Sequence, residues 1–148
     1  MNPAAEQASW QIRPMREEDL EQVQAIDQVS FSVPWPANAY RFELRENESS
    51  RLWVAEEVSS GQPAKILGVI VMWMILDEAH IATLSVLPEY RGQGIGAALL
   101  AEALKEGIRL NAGSATLEVR AGNLAAQNLY RRFGFHVVGR RLRYYRDN

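Results

Sequence analysis

The sequence predicts an α/β fold in which a mixed, mostly antiparallel twisted sheet carries about four helices on its faces. Three observations carry this prediction. Ile66 to Leu76 is almost wholly apolar and too short to cross a bilayer as a helix, so it reads as a strand buried on both faces. The short connection Asp77-Glu78 then leads into a second strand-like run, His80 to Val86, which must pair antiparallel with the first. Finally, the glycine-rich turn Arg91-Gly92-Gln93-Gly94-Ile95-Gly96 separates that strand from a long amphipathic helix.

The elements follow in order. Residues 1–8 are small and polar and are expected to be frayed. Trp10 to Arg13 alternates as a short strand until Pro14 stops it. Glu17-Glu18-Asp19 then places acidic charge on the first turn of a helix, where the helix dipole favours it, and Leu20, Val23 and Ile26 continue that helix at core-facing spacing. The two prolines of Phe31-Ser32-Val33-Pro34-Trp35-Pro36 break the pattern, and a second helix runs from Ala37 to about Arg45. Arg51 to Glu57 is a strand and Ser59 to Pro63 a turn. The helix from about Gly94 carries Ile95, Leu99 and Ala103 on one row and Leu100, Leu104 and Ile108 on the next. Asn111-Ala112-Gly113 ends it. Ala115 to Val119 is a strand, Asn123 an N-cap for a helix from Leu124 to Phe133, and Gly134 the C-terminal cap. Phe135 to Arg143 reads as one last strand. The predicted order is β-α-α-β-β-β-α-β-α-β, in a single domain spanning residues 1–148.

Composition narrows the function. The 148 residues suffice for one domain with a real core, and 47% hydrophobic with 23% charged residues is a globular balance. A net charge of -2 and a pI near 5.7 argue against direct nucleic-acid binding. Basic clusters at Arg131-Arg132 and Arg140-Arg141-Leu142-Arg143 read as solvated edges, or as places to meet a phosphate. With no cysteine there is no disulfide framework, no thiolate metal site and no cysteine nucleophile. His80 and His136 lack metal-ligand spacing, so no metal is expected. The amino terminus lacks the basic start and apolar run of a signal peptide, which predicts a cytoplasmic protein with no membrane partner.

Glycines at 92, 94 and 96 let a backbone approach a ligand closely, and successive N–H groups at a helix start form an anion cradle. A phosphate-bearing ligand is therefore expected. A P-loop is excluded, because Ile95-Gly96-Ala97 lacks the lysine and hydroxyl that serve the terminal phosphate and magnesium. A dinucleotide fold fits poorly. The glycine spacing is two and two rather than two and three, and the motif follows an antiparallel hairpin after about 90 residues of chain. Glu118, near the end of the following strand, does stand where a ribose-binding acid would.

The stretch Val86-Leu87-Pro88-Glu89-Tyr90-Arg91-Gly92-Gln93-Gly94-Ile95-Gly96-Ala97 resembles the acetyl-CoA motif of the GNAT superfamily of N-acetyltransferases. There, a loop of the form Arg/Gln-x-x-Gly-x-Gly/Ala binds the CoA diphosphate through backbone N–H groups. The matching positions are Arg91, Gly94 and Gly96, with further amides from Gly92, Gln93 and Ile95. Ser30-Phe31, Pro34-Trp35, Asp77-Glu78-Ala79, Leu117-Glu118-Val119-Arg120, Asn123, Leu129-Tyr130 and Phe133-Gly134-Phe135 extend the likeness to the bacterial RimI group. That group acetylates the amino-terminal residue of a small-subunit ribosomal protein. The resemblance covers Trp10 to Tyr145.

The resemblance implies roles that the residue chemistry can weigh. A free α-amine has a pKa near 7.7–8.0, and neutralising a lysine near 10.4 costs roughly 3–4 kcal/mol more than neutralising that amine, so an amino-terminal acceptor asks little of a base. Glu118 matches the family's general base; its plainer reading is a strand-end carboxylate paired with Arg120. Tyr130 matches the acid that protonates the CoA thiolate and also a cofactor contact; its plainer reading is an aromatic packed on the sheet. Asn123 matches a contact to the pantetheine arm and is equally an N-cap. Leu84, Ser85 and Val86 match the strand whose backbone pairs with pantetheine where it splays from its neighbour, with the Val86 N–H polarising the thioester carbonyl. Phe31, Pro34, Trp35, Tyr144 and Tyr145 match the acceptor side, or simple packing. Asp77 and Glu78 could attract a cationic amino terminus, but a hairpin closure is the better reading.

The expected activity is direct acetyl transfer in a ternary complex with acetyl-CoA as cosubstrate and a protein amino terminus as acceptor, by a monomer or weak homodimer. Lysine or small-amine acetylation, and non-catalytic acetyl-CoA binding, are the alternatives. One departure from the family stands out. The sequence ends at Asn148, where the family continues with an acidic stretch and a final antiparallel strand, so an unpaired sheet edge and a missing wall of the acceptor groove are expected.

Overall fold

Lys65–Ile75 forms β3, the strand on which both layers rest. Its residues from Ile66 to Met72 are buried, with Leu67, Ile70 and Met72 in one core cluster and Ile66, Val69 and Val71 in the other. A continuous apolar run of this kind needs cover on two sides, and the chain supplies it. The protein's structure is a computed structural model. It describes residues 9–30, 34–58, 64–118, 124–138 and 141–145, without the side chains of 118, 124–125, 136–138 and 141–145.

In chain order the elements are β1 (Trp10–Pro14), α1 (Leu20–Ser30), α2 (Ala39–Arg45), β2 (Ser50–Glu57), β3, β4 (Glu78–Val86), α3 (Ile95–Arg109), β5 (Ser114–Glu118), α4 (Leu124–Arg132), β6 (His136–Val138) and β7 (Arg141–Tyr145). Short 3-10 turns at Glu17–Asp19 and Pro88–Tyr90 precede α1 and α3. Among the described residues the sheet runs β1-β2-β3-β4-β5-β7-β6. The β4/β5 ladder is parallel and the others antiparallel. The α/β reading with four helices on a mixed sheet stands.

One face holds α1 and α2, whose Val23, Ile26 and Tyr40 pack with Leu52, Val54, Val69 and Val71. The opposite face holds α3, whose Ile95, Leu99, Leu100 and Ala103 meet Leu67, Ile70, Met72, Ile81 and Leu117, with Tyr130 of α4 completing the cluster. The stripe expected along α3 rolls outward at its end. Ile108 is exposed, because Gly107 takes the sheet-facing place and brings the helix backbone onto Ala79.

Two local readings change. Asp19 does more than complement a dipole: it is buried and accepts both terminal nitrogens of the Arg13 guanidinium, at 2.8 and 2.9 Å, while Arg13 Nε donates to Glu56 at 3.0 Å. This bidentate pair ties β1 to the start of α1 and to β2. The last strand read from Phe135 to Arg143 is in fact two strands. β7 lies between β5 and β6, pairing with β5 from Ser114↔Tyr145 to Glu118↔Arg141 and with β6 from His136↔Arg143 to Val138↔Arg141. The edge expected to lack a partner is therefore paired, and the expectation of a missing final strand is corrected. A run of alternating side chains cannot by itself reveal where a strand doubles back.

Gly68 marks the tightest crossing. A Cβ there would lie 3.0 Å from the Ser85 carbonyl oxygen and 3.1 Å from Leu99 Cδ1. Gly68→Ala should therefore lower stability by about 1–3 kcal/mol through overpacking, read from the urea midpoint at unchanged m.

Candidate active site

Among the described residues, β4 begins paired on both sides and finishes paired on one: its parallel ladder with β5 runs from Glu78↔Ser114 to Ile81↔Leu117, while its antiparallel ladder with β3 continues to Gly68↔Val86. A bulge sits beside the last described pair of that ladder: Val71 faces Thr83 and Met72 faces Ile81, leaving Ala82 as an extra residue. Such an insertion bends and twists its strand. Leu84, Ser85 and Val86, the residues expected on a splayed strand, lie beyond this bulge and pair with β3. The Ser85 side chain is buried, and its hydroxyl has no hydrogen-bond partner among the described residues.

Just beyond β4 the glycine turn opens α3. Gly92 and Gly94 adopt φ of +83° and +89°, the left-handed conformation that glycine takes without a Cβ penalty. Gly94 is the N-cap, and a Cβ built on Gly92 or Gly94 would meet no atom within 4 Å. Gly96 is helical and packs near Leu129 and Val86. The Arg91 guanidinium folds back to donate from Nε to the Val86 carbonyl at 3.1 Å, fastening the turn to the end of β4. Gln93 is half-buried and Ile95 is buried under the turn. This groups the residues predicted to grip a diphosphate at one end of β4.

Tyr130 stands on the α3 side of the sheet. It is 7% exposed and lies edge-on to Phe135 with ring centroids 5.9 Å apart. Burial pushes its phenol up to about 12. Gly134, with φ of +93°, turns the chain after α4, and the Phe135 N–H closes the turn on the Tyr130 carbonyl at 3.1 Å. Glu118 is the last residue of β5, one step past the end of the β4 ladder, and its side chain lies outside the described residues. So do Asn123, Phe31 and Arg120. Tyr144 and Tyr145 belong to β7 opposite Ala115 and Ser114, again without described side chains. Asp77 and Glu78 close the hairpin as expected, with the Asp77 carbonyl accepting the Gly113 N–H at 2.8 Å.

On the other face, side chains that sequence reasoning did not single out gather beside Pro34 and Trp35. The Trp35 ring lies 4.8 Å from that of Tyr40 and stacks at 6.4 Å on Trp73, which in turn stacks at 5.5 Å on His80. His80 Nδ1 and Thr116 Oγ1 are 3.1 Å apart, and Thr116 donates to Glu78 at 3.0 Å. Because that donation uses the threonine's single proton, Nδ1 carries the hydrogen of the His80–Thr116 bond. Asp27 is buried beneath Trp35. A signal for it existed: Leu20, Val23 and Asp27 share one helical stripe, so the chain carries a carboxylate where the core begins.

The profile of the acetyltransferase (GNAT) family matches residues 20–135. The chain belongs to that family. Its enzymatic class is N-acetyltransferase. Among curated relatives, a Bacillus subtilis (strain 168) protein provisionally named as a ribosomal protein bS18-alanine N-acetyltransferase is 37% identical over 93% of this chain and 87% of its own length. The N-alpha-acetyltransferase RimI of Mycobacterium tuberculosis (strain H37Rv) is also 37% identical, over 76% of this chain and 68% of its own. The crystal structure of the ribosomal-protein-S18-alanine N-acetyltransferase from Escherichia coli superposes with a TM-score of 0.79, at 25% identity, covering 93% of this chain and 94% of that one. The RimI-like GNAT resemblance read from the motifs therefore holds. Among the described residues, no helix is long and apolar enough to cross a membrane.

The last two glycines of the turn should respond differently to a methyl group. Gly94→Ala places a Cβ on left-handed backbone and should cost about 1–2 kcal/mol. Gly96→Ala, inside the helix, should be neutral or stabilising by up to about 1 kcal/mol. Urea denaturation of the two variants checks the contrast.

Proposed function

We propose that this GNAT domain transfers acetyl from acetyl-CoA to a protein α-amine, by direct attack in a ternary complex. The observation that carries the reading is a bulge in β4, beside its last described pair with β5, followed by a left-handed glycine turn. It leaves main-chain groups of one strand beside a helix N-terminus, the two backbone features that an extended amide-bearing arm with a diphosphate requires. The open space around Gly92 and Gly94 suits a diphosphate, since a side chain at either position would project into it. The names of the curated relatives support an α-amine and, among acceptors, an amino-terminal alanine such as that of ribosomal protein bS18. A ribosomal acceptor would also put the enzyme in the cytoplasm.

In this reading the amides from Gly92 to Gly96 hold the diphosphate, and Arg91, already fastened to Val86, keeps the turn against the strand end. Acetyl-CoA supplies the activated acyl group as a thioester. Leu84, Ser85 and Val86 meet the pantetheine arm through their backbone, with Asn123 as a further contact, and the Val86 N–H polarises the carbonyl. Glu118 takes the proton of the incoming amine through water. Tyr130 returns a proton to the departing sulfur. Burial suits the phenol to that task, because a group raised to about 12 remains protonated throughout the neutral range. Phe31, Pro34, Trp35, Tyr144 and Tyr145 line the acceptor side.

The acceptor is tested with peptides bearing free or blocked amino termini. Transfer to a free amino-terminal alanine, absent from the blocked peptide, is expected; robust transfer to lysine in the blocked peptide would overturn the α-amine. Glu118→Gln and Tyr130→Phe should each lower kcat about 100-fold or more while acetyl-CoA affinity changes little, as steady-state rates and calorimetry would show. The pH profile carries a sign. The raised phenol keeps its proton below its folded pKa, so kcat should rise as the amine and base deprotonate and then hold level to at least about pH 10.

A further inference from the structure

Two buried carboxylates outside the proposed chemistry accept hydrogen bonds from a pair of tryptophans. Asp27 in α1 is 2% exposed. Its Oδ2 accepts the main-chain N–H of Trp35 at 2.7 Å, and its Oδ1 accepts the Tyr40 hydroxyl at 2.7 Å. Glu43 in α2 is 7% exposed, and its Oε1 accepts the Trp73 indole N–H at 2.6 Å, the Ser50 hydroxyl at 2.7 Å and the Asn47 amide at 3.0 Å. All of these donors are neutral. Burying a carboxylate against neutral donors is costly, and well-packed apolar residues would fill the same volume more cheaply.

What the two carboxylates gain is geometry. The rings they fix, Trp35 and Trp73, are stacked at 6.4 Å with planes 15° apart. Trp35 belongs to the segment joining α1 to α2, and Trp73 to β3. Tyr40 packs its ring on Trp35 at 4.8 Å. Hydrogen bonds therefore run from the Trp35 backbone through Asp27 to the Tyr40 hydroxyl. We infer that Asp27 and Glu43 are positioning residues: they preset the Trp35–Trp73 wall of the acceptor groove. The inference rests on the proposed function in taking Trp35 as part of the acceptor side. A wall fixed beforehand leaves less side-chain and loop freedom to be lost when a peptide binds, so the benefit falls on acceptor affinity.

The test uses the full chain. Tyr40→Phe removes one donor to Asp27 and keeps the ring, while Asp27→Asn alters the acceptor itself. KM and kcat are measured for a peptide with a free amino-terminal alanine, the acetyl-CoA Kd by calorimetry, and the Trp35 amide resonance by 15N–1H correlation NMR. Both variants should raise acceptor KM about 5–20-fold with kcat and acetyl-CoA Kd within about twofold, and shift the Trp35 amide proton upfield as its carboxylate partner is lost or weakened. Glu43→Gln should raise acceptor KM in the same way. Unchanged acceptor KM in Tyr40→Phe would overturn the inference, as would a parallel loss of acetyl-CoA affinity, the mark of a merely structural role. The amide resonance needs no acceptor. If the wild-type protein acetylates no α-amine, the α-amine reading falls; the clamp then stands if the Asp27→Asn resonance moves and falls if it does not.

Discussion

The departure of β4 from β5 is the constraint around which the described site is arranged. A parallel ladder that continued to the strand ends would join Val86 and its neighbours to β5 and close the sheet. The extra residue Ala82 sits beside the last described pair of that ladder, and a bulged strand twists more steeply than its neighbour. β5 keeps its place because β7 pairs along its whole length on the other side. β4 keeps its place because β3 does the same. The opening is therefore a gap between two well-supported strands, and rigid support is what a site built from main-chain groups requires.

The two faces of the sheet serve this gap differently. On the α3 side, Gly68 lets the helix and β4 come close, Arg91 fastens the glycine turn to Val86, and Tyr130 is buried with Phe135. That face is apolar up to the helix mouth, so polar main-chain groups there meet few competing partners. On the α1 and α2 side, buried carboxylates and stacked rings replace simple aliphatic packing around Trp35 and Trp73. The sheet thus separates a backbone-lined region from a side-chain-lined one, with the bulged segment of β4 common to both.

Much of the architecture could be read from local patterns. The double burial of β3 followed from an unbroken apolar run, and the hairpin from a short acidic connection. The cap of α4 followed from Gly134, which takes the left-handed conformation that such a cap uses. The glycine turn was readable because its chemistry is local: a conformation available to glycine and a helix start that directs N–H groups at one place. The motif likeness added the family, which periodicity could not supply. The division of the last strand was not readable, since alternation is the same on both arms of a hairpin. The roles of Asp27, Glu43 and Tyr40 were hidden for another reason. A carboxylate on a helix looks solvated until its partners, contributed from 4 to 30 residues away, are brought to it.

By itself the sequence determined most of the elements, the glycine turn at the mouth of α3 and the membership of an acetyltransferase family, because each is written in residues adjacent along the chain. Only the tertiary structure decided where β4 leaves β5, that β7 fills the place beside β5, and that two carboxylates hold the Trp35–Trp73 pair. Those features are pairings between distant segments, and pairing depends on register and packing in three dimensions, which no local pattern of side chains encodes.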